Sequence, residues 1–523
     1  MLEQIFTSDD AVRDPTKSAH SPIRNFFRGK TVFLTGGTGF LGKLFIEKLL
    51  QCEVREIVLL IRSKRGRTPR ERLQRQLERE PIYTQYSRDA NYYWSKLRIM
   101  EGALEQEELG LSEMDIDYLR THVEIVIHSA ADVRFDLSLK ASFRTNVFGA
   151  QQLVNIALRM RKLVSLLYIS TAYSNCIQEV VEEKFYDTDV DPEEMMRVVE
   201  AIDEQQLDTL SPKIMQPWPN TYTYAKSQAE GVFRKYCDRL PVVLVRPSII
   251  ISTLEDPIEG WTDNIYGLNG VVTGIGSGVL RILHLNADYC VDVVPADLAV
   301  NACLAAIWYT ASQPYDAADG NERVFNCISR TDNPFTYRNV RDFCEEFRGK
   351  IPALQTLWFP TVTFIESATL HWFLQLFYHF IPAIFFDIFA KMSGREAKIL
   401  FLYRKVQQFA DALEFFTTNQ WTFKNTRMRK VYESMSEDDK ECFPADIKLV
   451  KWADFMHIYV LGLRKYILKE NLNNLEQALK KFRILKLAHY TVKTVAYLTI
   501  TLVAFVLLRS FWTNFVSYYL SVS

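Results

Sequence analysis

Tyr222 and Lys226 stand four residues apart in the run NTYTYAKSQAE, and together they can move a proton. Positions i and i+4 share one face of a helix. A phenol with an ordinary pKa of about 10 is a poor acid–base group at neutral pH. An ammonium beside it favours the ionised form and brings its pKa toward the working pH. Tyr224 has Gln228 four residues on, not a lysine, so Tyr222 is the candidate. Upstream, LLYISTAYSN supplies Ser170 and Thr171. Either hydroxyl can donate to a carbonyl oxygen as negative charge gathers there. The bland reading is an exposed helix with chance spacing, so the pair needs a second site beside it.

TVFLTGGTGFLGKLF, Thr31 to Phe45, offers that site. An apolar strand enters a glycine-rich turn and an apolar helix leaves it. Backbone N–H groups in such a turn cradle a pyrophosphate, and the helix N-terminus adds positive charge. Gly36, Gly39 and Gly42 are spaced GxxGxxG, which differs from the plain GxGxxG dinucleotide fingerprint. An NAD site usually sets an acid on the ribose 2′-hydroxyl about twenty residues on. Here the chain reads LLIRSKRGR, and Arg62 and Lys64 suit a 2′-phosphate instead. NADP(H) is the cofactor these residues favour; the alternative is a solvated basic loop. His128, in VIHSAAD, is read as a packed strand-end residue and not a base. His371 and His379, in an aromatic-rich stretch, are read as core or membrane-surface residues. The eight cysteines are scattered with no CxxC and no metal-ligand spacing, so no metal is expected and the thiols are read as reduced.

The elements that must position these groups alternate. TVFLTG, EIVLLIR, VEIVIHSAA, LVSLLYIST and PVVLVRPS are short apolar runs separated by helical patterns. Such runs are parallel strands covered on both faces, hence a doubly wound parallel α/β sheet. Pro69 to Glu108 reads as a long charged helical stretch, and 180–218 as an acidic helical insertion. After Lys350 the chain is mostly helical and rich in aromatics. With 523 residues and 48% hydrophobic composition it holds two or three domains at about 150 residues each. The net charge of −1 gives no global pull toward nucleic acid. The acidic start MLEQIFTSDDAVRD has no apolar core and is not a secretory signal.

TGGTGFLG, HSAADVRF, TNVFGA, YISTAYSN, TYTYAK, VRPS and VVPADLA, in this order, resemble the extended short-chain dehydrogenase/reductase superfamily over about residues 30–300. LLIRSKRG, TYTYAKSQAE and the whole segment Leu400 to Glu470 resemble the alcohol-forming fatty acyl-CoA reductases. The resemblance implies Thr171 as the catalytic hydroxyl, with Ser170 the lesser choice. It implies Tyr222 as proton donor and Lys226 as the lysine that also binds the nicotinamide ribose. Cofactor contacts would fall at Thr35, Gly36, Gly37, Thr38, Gly39, Phe40, Leu41 and Gly42, at Ala130 and Ala131, and at Pro247. Asn146 is placed with them, although its turn is more often structural. The implied activity is reduction of a long-chain acyl-CoA to the alcohol through an aldehyde, with NADPH, for wax- or ether-lipid synthesis. A membrane-bound sterol or nucleotide-sugar dehydrogenase on the same fold, and a non-catalytic NADP(H)-binding scaffold, are the competing readings.

The expected organisation is a weakly ordered lead-in at 1–28, a Rossmann-type catalytic domain at 29–350, a helical domain at 351–480 and a membrane-anchoring segment at 488–520. Thr494 to Leu508 is fifteen residues without a charge, between Lys493 and Arg509. That is about 22 Å at ~1.5 Å per residue. Starting at Tyr490, with Lys493 snorkelling, brings it close to the ~20 residues a span needs. Lys480, Lys481, Arg483 and Lys486 precede it, a cytoplasm-side signature. A C-terminal anchor is expected, with a re-entrant hairpin or a helix buried in a homodimer as alternatives. Leu357 to Ala390 is nearly as apolar, but it carries Glu366, His371, Gln375, His379 and Asp387, and Pro382 should kink it. An interfacial helix pair that admits the acyl chain from membrane lipid is expected there. The terminal SVS is not the SKL address, so the expected location is the peroxisomal or endoplasmic reticulum membrane, catalytic domain toward the cytosol.

Overall fold

A computed structural model describes residues 20–83, 89–313, 320–394, 396 and 398–522. Seven parallel strands form the central sheet: β1 Thr31–Thr35, β2 Glu56–Ile61, β3 Leu97–Glu101, β4 Ile125–His128, β5 Ser165–Ile169, β6 Val242–Pro247 and β7 Val324–Cys327. Their order is β7-β6-β5-β4-β1-β2-β3. Every residue of β1, β4, β5, β6 and β7 is buried, because helices cover both faces. The order reverses between β1 and β4, and in such sheets ligands bind beyond the strands' carboxyl ends at that switch.

Five helices carry the site and its attachments. α1 Phe40–Gln51 follows the glycine turn, and α2 Thr221–Lys235 holds the Tyr/Lys pair. Asn220 caps α2 by accepting from the Thr223 N–H. α3 Ala368–Met392 and α4 Ile399–Thr418 are antiparallel neighbours in sequence, and α5 Leu475–Val522 ends the described chain.

Two expectations are corrected. The stretch from Pro69 to Glu108 is not one helical run: helices Pro69–Arg79 and Ala90–Lys96 are followed by strand β3. β3 sits at the sheet edge with one face exposed, so its LRIME reads as polar and lacks the apolar run of its neighbours. The lead-in is also structured from Ser21 onward. Pro22–Phe27 is a helix with Ile23 and Phe27 fully buried. Ser21 Oγ and the Ile23 N–H both donate to Asp439 Oδ1, at 2.5 and 3.0 Å, which ties this helix to the C-terminal half. The rest of the lead-in, 1–19, lies outside the described residues.

Of the apolar segment Leu357 to Ala390, expected as a helix pair, the part from Ala368 is one helix, α3, and Thr363–Ile365 before it is a short strand. A π turn at Leu376–Phe380 precedes Pro382 and carries the helix past it. Its polar residues face inward. His379 Nε2 accepts from the Arg281 N–H, His371 stacks on His284, and Asp387 accepts from the Ile399 and Leu400 N–H groups at the start of α4. Its outer face presents Trp372, Phe385 and Phe389, each about two-thirds exposed. α5 is continuous from Leu475 to Val522 with no turn after Leu508, so the hairpin alternative falls away. Both α3 and the span Leu472–Tyr518 are long and apolar enough to cross a membrane.

Candidate active site

A cavity of about 860 Å³ opens at the carboxyl ends of β1, β4, β5 and β6. Gly36, Thr38, Gly39, Phe40 and Leu41 line one end, and Arg62, Lys64 and Arg72 stand at its edge. Ala130, Ala131, Thr171, Tyr222, Lys226 and Pro247 line its middle. Leu268 and Val271, with Leu413 and Phe416 of α4, wall an apolar arm.

The glycine turn is dictated by close approach. Gly36 has φ +80°, and a Cβ there would lie 2.7 Å from the Ala130 backbone nitrogen. Only glycine fits both conditions. The Gly39 N–H bonds back to Gly36 O at 2.8 Å, and the N-terminus of α1 then faces the cavity. This arrangement fits a pyrophosphate.

The cations fit a further phosphate. Arg72 Nη2 donates to Thr38 Oγ1 at 3.0 Å and Nη1 to Arg62 O at 2.5 Å, which places the guanidinium between the glycine turn and the end of β2. Arg62 is paired with Glu105 at 3.0 Å. Among the described residues Lys64 and Arg72 have no carboxylate partner. Partial burial, then Arg62, Arg72, Arg65 and Arg134, hold the Lys64 ammonium below its ordinary pKa. A cluster of like charges favours an added anion.

Tyr222 is part-exposed to the cavity and stacks on Phe135, centroids 5.8 Å apart; Phe135 packs in turn on Phe416 at 5.6 Å. Burial raises the Tyr222 pKa well above the ordinary phenol value. The expected tuning by Lys226 is not seen, since burial alone sets the direction of the Tyr222 shift. Lys226 Nζ instead donates to Ile169 O at 2.7 Å and lies over the Tyr168 ring at 4.6 Å. Burial pushes this ammonium down to about 7, and Glu230 one turn on opposes the fall. Ser170 and Thr171 differ sharply. Ser170 Oγ donates to Glu230 Oε1 at 2.5 Å. Thr171 Oγ1 accepts from the Tyr173 N–H, and among the described residues its own proton has no acceptor.

Four residues read from sequence as cofactor contacts stand behind the cavity wall. Thr35 Oγ1 bonds His128 Nδ1 at 2.7 Å and accepts from the Ala130 N–H. Gly37 O accepts from Gln76. Gly42 touches the turn itself, since a Cβ there would lie 2.0 Å from Gly36 O. Asn146 exchanges two bonds with the Asp132 backbone, at 2.9 and 3.0 Å, and so fixes the loop after β4. These four shape the cradle without lining it. His128 is buried and neutral, pushed to about 3 by burial and by Lys226. No cluster of metal-binding side chains occurs among the described residues. Sequence reasoning missed Arg72, Phe135, Phe416 and the buried Glu230–Arg246 pair, for which Arg246 in the otherwise apolar strand VVLVRP was the available signal.

The sheet, glycine turn and Tyr/Lys helix together define a dinucleotide-binding oxidoreductase of the extended short-chain dehydrogenase/reductase type. Residues 34–303 and 378–470 match two families, each described as male sterility protein, the first a NAD-binding family. The chain is 34% identical to the fatty acyl-CoA reductase wat of Drosophila melanogaster over 94% of both chains. It is 31% identical to fatty acyl-CoA reductase 1 of Homo sapiens over 91% of this chain and 92% of that one. This chain belongs to the fatty acyl-CoA reductase family. Among solved structures, the reductase domain of a nonribosomal peptide synthetase from Mycobacterium tuberculosis shares the fold, with a TM-score of 0.53 at 17% identity over 87% of this chain and 96% of that one.

Proposed function

We propose that this chain reduces long-chain fatty acyl-CoA to the fatty alcohol with NADPH, at the surface of a membrane. The observation that supports it best is one cavity holding a glycine cradle, a free threonine hydroxyl, a neutral phenol and an apolar arm walled by α4. The glycine turn and α1 hold the pyrophosphate, Lys64 and Arg72 the 2′-phosphate, and Lys226 the nicotinamide ribose. When bound, the nicotinamide supplies hydride. Thr171 donates to the thioester carbonyl oxygen as negative charge develops. Collapse of the tetrahedral adduct expels CoA thiolate and leaves an aldehyde. In the second reduction Tyr222 gives its proton to the forming alkoxide.

Membranes bearing the chain, given NADPH and a long-chain acyl-CoA, should release one thiol for every two NADPH consumed and yield alcohol. NADPH oxidation without thiol release would replace this reading with a dehydrogenase, and no oxidation with any acyl-CoA would leave a scaffold. The cofactor assignment has its own test. Lys64→Gln with Arg72→Gln should raise KM for NADPH roughly 10–100-fold, the scale of one or two charge-assisted hydrogen bonds. KM for NADH should hardly move. Equal losses with both cofactors would overturn the 2′-phosphate assignment.

α3 and α5 would seat the enzyme in lipid, with Lys480, Lys481, Arg483 and Lys486 on the cytosolic side. A peroxisomal or endoplasmic reticulum membrane and a wax- or ether-lipid product fit that placement.

A further inference from the structure

Where α5 leaves the body, three cations surround one histidine. His489 lies on α5, one turn before Lys493, and its Nδ1 accepts from Trp358 Nε1 at 3.1 Å. Its ring packs on Phe359, centroids 5.2 Å apart. The charged groups that reach this ring are Lys493, Arg281 and Arg348, all cationic. They come from three separate parts of the chain. Arg281 precedes the short strand Ile282–His284; its guanidinium lies by the Tyr403 ring and bonds the Tyr403 hydroxyl, while its Nε is buried with no hydrogen-bond partner. Arg348 follows the helix Tyr337–Phe347, gives one bond to Pro360 O at 3.2 Å and leans over the Phe359 ring. Among the described residues none of the three has a carboxylate partner.

The surroundings say which anion is missing. Trp358 touches Phe386 of α3, so the cluster sits where both long apolar helices meet the body. Beyond it α3 exposes Phe385 and Phe389, and α5 exposes Tyr497 and Leu498. Arg281 and Arg348 are partly buried, and a partly buried cation without an anion is costly. Cations at the end of a membrane helix sit at headgroup depth, where anionic lipid supplies the charge. None of the three lines the catalytic cavity.

We propose that Arg281, Arg348 and Lys493, framed by His489 and Trp358, bind the phosphate of an anionic phospholipid and fix the depth at which α3 and α5 sit. This rests on reading α3 and α5 as membrane-embedded. The test uses the full chain in nanodiscs of phosphatidylcholine with or without one-fifth phosphatidylserine. Anionic lipid should raise the wild-type Tm by a few degrees through binding linkage, and native mass spectrometry should retain an anionic phospholipid on the chain. Arg281→Gln with Arg348→Gln should abolish most of that rise, measured from the variant's own Tm in pure phosphatidylcholine, and leave KM for acyl-CoA unchanged. Lys493→Gln, at an exposed position, gives the same readout if the double variant does not fold. Equal rises in wild type and variants overturn the site. So does inorganic phosphate reproducing the rise in phosphatidylcholine discs, or a raised acyl-CoA KM, which would assign the cations to CoA. A chain left in the supernatant after ultracentrifugation overturns the membrane reading and the site together; a membrane-bound chain indifferent to anionic lipid overturns the site alone.

Discussion

Tyr222→Phe lowers alcohol formation roughly 10²–10⁴-fold, the usual scale for a general acid, or about 3–5 kcal/mol of barrier. The fold should not notice. The phenol oxygen makes no hydrogen bond among the described residues, and the ring contact with Phe135 survives the substitution. Tm should therefore hold while turnover collapses, and an alcohol yield near wild type would remove Tyr222 from the mechanism. The pH profile carries a second signature. Burial keeps the phenol protonated, which suits a donor, while the Lys226 ammonium is pushed down to about 7. An amine keeps its proton below its pKa, so turnover should fall as pH rises through that value. A ligand that draws Lys226 off Ile169 O would move this limb, and comparing kcat with kcat/KM separates the two states.

The glycine turn, the five inner strands and the Tyr222/Lys226 spacing were legible because each is local: apolar runs, glycines at fixed offsets, an i, i+4 pair. The misses share one cause. β3 is an edge strand with two of its five residues exposed, so it carries no apolar run. Arg72 is legible only as a helix cation until its guanidinium folds back onto Thr38. Phe416 closes the catalytic wall from a helix nearly two hundred residues after Tyr222 in sequence, and no spacing rule reaches that far. The expected Lys226–Tyr222 coupling is not seen for another physical reason. A strand-end carbonyl, Ile169 O, competes for the ammonium and holds it at 2.7 Å. Asn146 and Gly42 show the converse: both belong to recognisable motifs, yet they act on the loop and not on the cavity.

Glu230→Ala should destabilise the fold by about 3–5 kcal/mol, the range for breaking a buried ion pair by removing one partner. Arg246 is fully buried, and Glu230 accepts from its Nε at 2.9 Å and its Nη2 at 2.6 Å. The same carboxylate accepts from Ser170 and Ser174 at 2.5 and 2.7 Å and from Asn175 at 3.1 Å, so it pins the turn that carries Thr171. Burial alone would raise its pKa; Arg246 and the hydroxyl donors outweigh that and hold it below the ordinary carboxylate value. The pair's stabilisation is therefore complete above the unfolded pKa of about 4.3 and is lost as pH falls through the lower folded value. Glu230→Gln keeps the volume and removes that acid limb. It also removes the charge that props up Lys226, so the alkaline limb of turnover should move to lower pH. A purely structural residue would change Tm and leave that limb in place. Glu230→Leu with Arg246→Met should recover part of the lost stability, since an apolar pair pays no desolvation. The recovery is partial because the Glu182 and Lys184 carbonyls lose their Arg246 donors. Activity should not return with it, because the Thr171 turn would still lack its anchor; a double variant as active as wild type would show that Glu230 positions nothing.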